Sequence, residues 1–220
     1  MKILGIIGGM SPESTATYYT EINRLVNQKK GGNISAPIVM VSVEFEEIVQ
    51  CQKQSEWQRA GEILAEAGKK LEMIGAEGIV LATNTMHKVA PQIERVLSIP
   101  FLHILDATAD AIKSRGLNKV ALLGTKFTMS DNFYRDGLIV RGITPIVPNE
   151  SAQNEIHRII FDELCVGKFL PTSKAFYLDT IEFLRKQGAE GVILGCTEIG
   201  LLVNQSDFSL PFFDTAKLHS

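Results

Sequence analysis

The sequence predicts an α/β protein of two pseudo-symmetric lobes, each a mostly parallel sheet flanked by helices. Short apolar runs alternate with helical stretches, as parallel sheets with crossover helices require. The phrase GAEGIVLATNT at Gly75–Thr85 recurs as GAEGVILGCTE at Gly188–Glu198. Two further pairs recur in the same order, KILGIIGGMS with KVALLGTKFT and IPFLHILDAT with LPFFDTAKLH. We therefore expect a first lobe over residues 1–110, with a possible exchange of the C-terminal segment, and a second lobe over residues 111–220.

Each lobe is expected to contribute four strands, which the β-branched runs mark in chain order. The predicted strands are Ile3–Ile7, Ile38–Val43, Gly78–Leu81, Phe101–Ile104, Val120–Leu123, Thr144–Val147, Gly191–Leu194 and Pro211–Phe213. The helical period is clearest from Trp57 to Ile74, and Gly75 supplies a left-handed stop there. Ligands bind beyond the carboxyl ends of parallel strands, so we expect an active site in a cleft between the lobes.

The amino-acid composition indicates which kinds of molecule the protein binds. The 220 residues are 45% hydrophobic and 21% charged, an ordinary globular balance. A net charge of −3 gives no general attraction to nucleic acid, and no apolar stretch has the length of a membrane span. The three cysteines, Cys51, Cys165 and Cys196, are odd in number and lack C-x-x-C spacing. These features favour a cytoplasmic protein that acts on a small molecule, without a zinc site.

Two glycine turns precede predicted helix starts. In GGMSPEST, Ser11 suits the N-cap and Pro12 the first helical position. The amides of this turn either hold a substrate carboxylate or only close a capped turn. In GTKFTMS, Thr125 and Thr128 can accept from backbone amides or donate to a ligand. Neither turn has the spacing of a dinucleotide fingerprint or a Walker loop.

Polar side chains end the first of the two repeated strands. Thr83, Asn84 and Thr85 follow an apolar run, and burying all three is costly unless something satisfies them. A helix cap would explain one or two of them. His87 is expected to be a satisfied histidine that supports these residues, not a ligand or base.

Cys196 ends the second repeated strand, at the place that matches Thr83 in the first. A predicted helix begins just after it, and a helix N-terminus lowers the pKa of a thiol. Thr197 can cap that helix. Glu198 can hold an amino group or influence neighbouring protons.

These motifs resemble the aspartate/glutamate racemase family over essentially the whole chain. The resemblance lies in GGMS near the start, x-N-T at the first strand end and GCTE at the second. The phrases TNTMHK and GCTEIGLL are most similar to members that act on L-aspartate and L-glutamate. The resemblance implies an enzyme of two lobes that uses no cofactor and no metal and that often forms a homodimer.

The resemblance also implies roles for individual residues. Cys196 would remove the α-proton of the L-enantiomer, and Thr83, where the family commonly has cysteine, would return a proton from the opposite side. The remaining substrate-binding residues implied are Met10, Ser11, Asn84, Thr85, Thr125, Thr197 and Glu198. Many members bind the distal carboxylate with an arginine that is missing here, and Gln52 or Lys168 could take its place. A threonine hydroxyl does not ionise near neutral pH, so we expect the L-to-D direction to work and the reverse to be slow.

Two other classes of protein stay open. A non-catalytic protein that binds acidic amino acids would need the same cleft. A single-cysteine lyase or isomerase of the same superfamily, such as an arylmalonate decarboxylase or a maleate isomerase, is the other. A pyridoxal-phosphate racemase has no support, because no lysine lies in a recognisable cofactor setting.

Overall fold

The computed structural model describes residues 1–220 and divides into two units. Unit 1 comprises Met1–His103 together with His219–Ser220, and unit 2 comprises Ile104–Leu218. The division falls between His103 and Ile104, so the helix that follows belongs to unit 2. The last two residues of the chain return to unit 1.

Unit 1 is a four-stranded parallel sheet with helices. Its strands are β1 (Leu4–Gly8), β2 (Ile38–Ser42), β3 (Gly78–Leu81) and β4 (Phe101–Leu102). Its helices are α1 (Pro12–Lys30), α2 (Phe45–Lys53), α3 (Trp57–Met73) and α4 (Ala90–Glu94), with a 3-10 helix at Thr85–Val89. The strand order is β2-β1-β3-β4, and every pair is parallel.

Unit 2 repeats this plan. Its strands are β5 (Lys119–Gly124), β6 (Thr144–Ile146), β7 (Val192–Gly195) and β8 (Phe212–Asp214). Its helices are α5 (Ile104–Ser114), α6 (Lys126–Ser130), α7 (Asn132–Val140), α8 (Glu150–Asp162), α9 (Pro171–Lys186), α10 (Ile199–Leu202) and α11 (Thr215–His219). Two 3-10 helices lie at Leu164–Val166 and Gln205–Asp207. The strand order β6-β5-β7-β8 is again parallel throughout.

The structure confirms the predicted fold class and all eight predicted strands. Strand β4 is shorter than expected, because α5 already begins at Ile104. The glycine before each repeated strand has a positive φ, +99° at Gly75 and +96° at Gly188, and follows a long helix. Glycine adopts that conformation without the steric cost that a side chain would meet. The repeat in the sequence is therefore a repeat of helix, turn and strand.

The central strands β1, β3, β5 and β7 are largely buried. Ile6 and Ile7 of β1 and Ile79 of β3 are inaccessible to solvent, as are Leu64 and Leu71 of α3. Burying one such side chain contributes about 1.5–3 kcal/mol, which orders the central strands and fixes where their carboxyl ends emerge. No helix of the protein combines the length and apolar character needed to cross a membrane.

Candidate active site

The turn after β1 is tied to the end of its neighbour β3. Ser11 caps α1 as predicted, its Oγ accepting from the Ser14 N–H at 3.2 Å. The Ser14 hydroxyl donates to the Ala82 carbonyl at 3.1 Å, just beyond β3. Gly9, with φ +96°, donates its N–H to Thr15 Oγ1 at 2.7 Å. The Ser11 oxygen therefore serves a structural cap, and the turn lies beside Thr83.

Met10 is 6% exposed and packs in the apolar core of unit 1 with Ile7 and Ile48. Its backbone lies in the glycine turn, between Gly9 and Ser11. The sequence predicted Met10 as a pocket residue, and the structure gives it core contacts on the apolar side of that turn.

The end of β3 carries three nearly buried polar residues. Thr83, Asn84 and Thr85 are 9%, 5% and 6% exposed. Asn84 occupies the N-cap position of the 3-10 helix but makes no side-chain capping bond, so capping does not explain its presence. The Thr83 N–H donates to the Leu81 carbonyl at 2.8 Å. The Thr83 hydroxyl has no hydrogen-bond partner in the structure.

His87 supports this strand end, as the sequence predicted. Its Nδ1 lies 2.7 Å from the Thr83 carbonyl oxygen, and the residue is 2% exposed. Burial, followed by the nearby His103 and His219, lowers the pKa of His87 well below its ordinary value. The ring is therefore neutral at physiological pH.

Two residues, Gln52 and Lys168, were predicted to replace the arginine that binds the distal carboxylate, and only Gln52 lies near the end of β3. Gln52 in α2 is 8% exposed, and its Nε2 lies 3.1 Å from the sulfur of Met86, the residue after Thr85. Lys168 is an exposed residue of unit 2, and its backbone N–H bonds to the Glu163 carbonyl at 2.8 Å.

In the turn after β5 of unit 2, one of the two threonines accepts from a backbone amide. Thr125 begins α6, and its Oγ1 accepts from the Thr128 N–H at 3.3 Å. Gly124 pairs with Gly195 of β7, so the carboxyl ends of the two strands are adjacent. A Cβ on Gly195 would meet the Leu123 carbonyl oxygen at 2.9 Å, which shows how closely the strands pass.

Cys196 forms a pair with Glu198. Its Sγ donates to Glu198 Oε2 at 3.0 Å, and Glu198 is only 6% exposed. Burial, followed by the charge and the hydrogen bond of Glu198, raises the pKa of the Cys196 thiol well above its ordinary value. The prediction of a lowered pKa is therefore wrong. Helix α10 is a single turn, too short to outweigh an adjacent carboxylate in a buried setting.

The predicted cap of that helix is also wrong. The N-cap position of α10 is occupied by Glu198, not by Thr197, and it makes no side-chain capping bond. Thr197 is partly buried one residue before it. The Glu198 side chain instead faces the sulfur, a pairing that the spacing of two residues could have suggested.

Sequence reasoning missed Tyr177, which lies in the core beneath Cys196. Its side chain is fully buried, and its hydroxyl has no hydrogen-bond partner. Burial, then the nearby Cys196, Glu163 and Cys165, raises the pKa of this phenol well above its ordinary value. Tyr177 therefore stays neutral.

The fold and these strand ends define a small-molecule enzyme of the doubled α/β type, with titratable and hydroxyl groups at the carboxyl ends of central strands. A family comparison makes this class specific. The family model described as Asp/Glu/hydantoin racemase matches residues 7–220. The chain belongs to that family, and it is an isomerase of the amino-acid racemase class.

Individual relatives are similar to this chain over nearly its full length. The broad-specificity amino-acid racemase RacX of Bacillus subtilis (strain 168) is 22% identical over 216 residues, covering 97% of this chain and 93% of the relative. A candidate Asp/Glu racemase from Yersinia pestis has a solved structure that is 50% identical, with a TM-score of 0.94 over 100% of this chain and 96% of its own. An aspartate racemase homologue from Pyrococcus horikoshii OT3 is 40% identical, with a TM-score of 0.88 over the same shares of the two chains.

Proposed function

We propose that the protein racemises acidic amino acids, converting L-glutamate or L-aspartate to the D-form by two-base proton transfer at the α-carbon. The observation that carries this proposal is topological. Thr83 and Cys196 follow β3 and β7, which hold the same third place in two identical strand orders. Equivalent strand ends in a duplicated fold can present one group to each side of a ligand.

The contact with Glu198 supports a specific first step. The neutral Cys196 thiol passes its proton to the Glu198 carboxylate 3.0 Å away, and the resulting thiolate takes the α-proton of the L-substrate. Because Glu198 takes the thiol proton first, Cys196 can act as a base although its thiol is protonated in the resting enzyme. The negative charge of Glu198 is neutralised in the same step, so the thiolate does not form beside a second anion.

Thr83 completes the inversion. Its hydroxyl donates to the opposite face of the carbanion, and water returns a proton to the oxygen. The proton left on Glu198 neutralises the resulting hydroxide, which restores the resting enzyme. A threonine is acid enough for a carbanion but a poor base, so the L-to-D turnover at saturating substrate exceeds the D-to-L turnover, while kcat/KM is the same in both directions. The equilibrium constant of the racemisation remains one, so only rates and saturation differ.

Substrate contacts follow from the same strand ends. We assign the α-carboxylate and amino group to Asn84, Thr85 and Thr197, whose donors would stabilise a developing enolate. Met10, Ser11 and Thr125 would line the pocket, and Glu198 would adjoin the amino group. Gln52 would bind the distal carboxylate, since its amide already approaches Met86 beside Thr85.

The test is incubation with L-glutamate and L-aspartate in deuterated water, followed by chiral chromatography and mass analysis. We expect deuterated D-product from the wild type, none from Cys196→Ala, and normal turnover from the matched control Cys51→Ala, whose cysteine is buried in the unit 1 core. Thr83→Cys should raise the D-to-L rate. Binding without exchange would identify a non-catalytic binding protein, and loss of a carboxyl group would identify a lyase.

We also propose that the protein works as a homodimer in the cytoplasm. Three free cysteines support a reducing compartment. Light scattering coupled to size-exclusion chromatography tests the dimer, and a mass near 24.2 kDa would contradict it.

A further inference from the structure

Three histidines lie together in unit 1, beside the end of β3. The ring centroid of His87 is 4.7 Å from that of His103 and 5.6 Å from that of His219. His87 and His219 are 2% and 7% exposed. No group of three or more His, Cys, Asp or Glu side chains in the chain is arranged to hold a metal ion. The contacts that the structure gives the three histidines are hydrogen bonds and ring packing.

The contacts fix the tautomers of two rings. A carbonyl oxygen only accepts, so His87 Nδ1 carries the proton in its 2.7 Å bond to the Thr83 carbonyl. By the same argument His219 Nε2 donates to the Leu102 carbonyl at 2.7 Å. Its other nitrogen, Nδ1, lies 2.8 Å from the Tyr18 hydroxyl and accepts from it when the ring is neutral. Each ring is thereby fixed in orientation.

His219 reaches this cluster from the other end of the chain. It ends α11, the helix that follows the last strand of unit 2, yet it belongs to unit 1. Its ring packs edge-on against both Tyr18 of α1, at 88°, and His87, at 67°. The side chain thus links α1, β4 and His87 in one buried contact.

Thr83 depends on this support because it lies outside the strand ladder. Strand β3 ends at Leu81, and the Thr83 amide and carbonyl bond only to the Leu81 carbonyl and to His87 in the contacts described. We propose that His87 and His219 are positioning residues: His87 fixes the Thr83 backbone, and thus the aim of its hydroxyl, while His219 braces His87. The catalytic meaning of this inference rests on the proposed function of Thr83.

The experiment compares inversion with exchange. With L-glutamate in deuterated water, a misaimed Thr83 leaves the carbanion to Cys196. Once the thiol has exchanged the abstracted proton with solvent, it returns deuterium to the same face and gives deuterated L-substrate instead of deuterated D-product. We expect the ratio of inversion to retention to fall about tenfold in His87→Ala and about threefold in His219→Ala, since small misplacements of a reacting group are costly. His87→Asn and His219→Gln keep an N–H near the donating nitrogen and should restore part of the ratio. Ile22→Val, one turn beyond Tyr18 on the buried face of α1, is the control for lost packing and should leave the ratio unchanged.

A second readout separates this inference from the proposed function. The carbonyl ¹³C resonance of Thr83 should shift in both alanine variants, whether or not the protein is active. If the Thr83 resonance does not move in His219→Ala, His219 does not support His87. If the resonance moves and the ratio of inversion to retention stays unchanged, the position of the Thr83 backbone does not affect catalysis. If the wild type exchanges no α-proton, the proposed function fails, and the resonance alone still decides whether the histidines hold Thr83.

Discussion

Replacing Glu198 with glutamine distinguishes two roles that its contact with Cys196 permits. If the carboxylate only raises the pKa of the thiol, its removal should activate the enzyme by releasing more thiolate. If it accepts the thiol proton, its removal should disable the enzyme. The distance of 3.0 Å lies within the reach of a general base, which contributes about 10²–10⁴-fold, or roughly 2.7–5.5 kcal/mol of barrier. Even a thiol of ordinary pKa is only a few per cent ionised at pH 7. The thiolate gained by removing the carboxylate therefore offsets little of the rate lost with the general base.

We therefore expect kcat/KM for α-proton exchange from L-glutamate to fall about 100-fold at pH 7 in Glu198→Gln. The remaining activity should rise about tenfold per pH unit across the assayed range, because hydroxide then ionises the thiol in place of the carboxylate and burial still holds the pKa of the thiol above its ordinary value. The assay is exchange in deuterated water, followed by NMR from pH 6 to 9. Glu190→Gln, an exposed substitution of the same kind in unit 2, is the control. Wild-type or faster exchange at pH 7 would refute the role of Glu198 as proton acceptor.

Three further predictions concern stability. Tyr177→Phe removes a buried hydroxyl that has no partner, so the free energy of unfolding should rise by about 1–2 kcal/mol and the Tm by roughly 2–8 °C; a lower Tm in calorimetry contradicts this. An unfolded histidine binds a proton near pH 6.5, whereas buried His87 does so only at lower pH, so stability should fall below about pH 6.5 by up to 1.4 kcal/mol per unit. Urea midpoints across pH should show this slope, and His87→Asn should flatten it. Gly9→Ala should cost more than about 3 kcal/mol, because its new Cβ would overlap the Val43 carbonyl at a positive φ; Gly31→Ala, at a positive φ in open space, should cost about 1–2.

The fold could be predicted because its signals are local. Each strand is a short apolar run bounded by glycine or proline, and the stop at Gly75 and the cap at Ser11 depend on residues a few positions away. The doubling was visible because both halves keep the same helix, turn and strand in the same order.

The electrostatics of the site could not be predicted in the same way. A thiol before a helix suggested a lowered pKa, but the sign depends on where one carboxylate points and on how much water remains, and neither follows from periodicity. The approach of His219 to Tyr18 joins residues from opposite ends of the chain, and no local pattern encodes it. Tyr177 shares the buried face of α9 with Ile181 and Leu184, and a helical period cannot show that its hydroxyl is left without a partner.

The pairing of Cys196 with Glu198 has a consequence for the lifetime of the protein under oxidative stress. Peroxide and alkylating agents attack the thiolate, and a sulfur that rests protonated beside an anion is a slow target for both. The nucleophile would be exposed to such damage only during the brief interval of turnover, so the carboxylate that prepares the chemistry also preserves the idle enzyme.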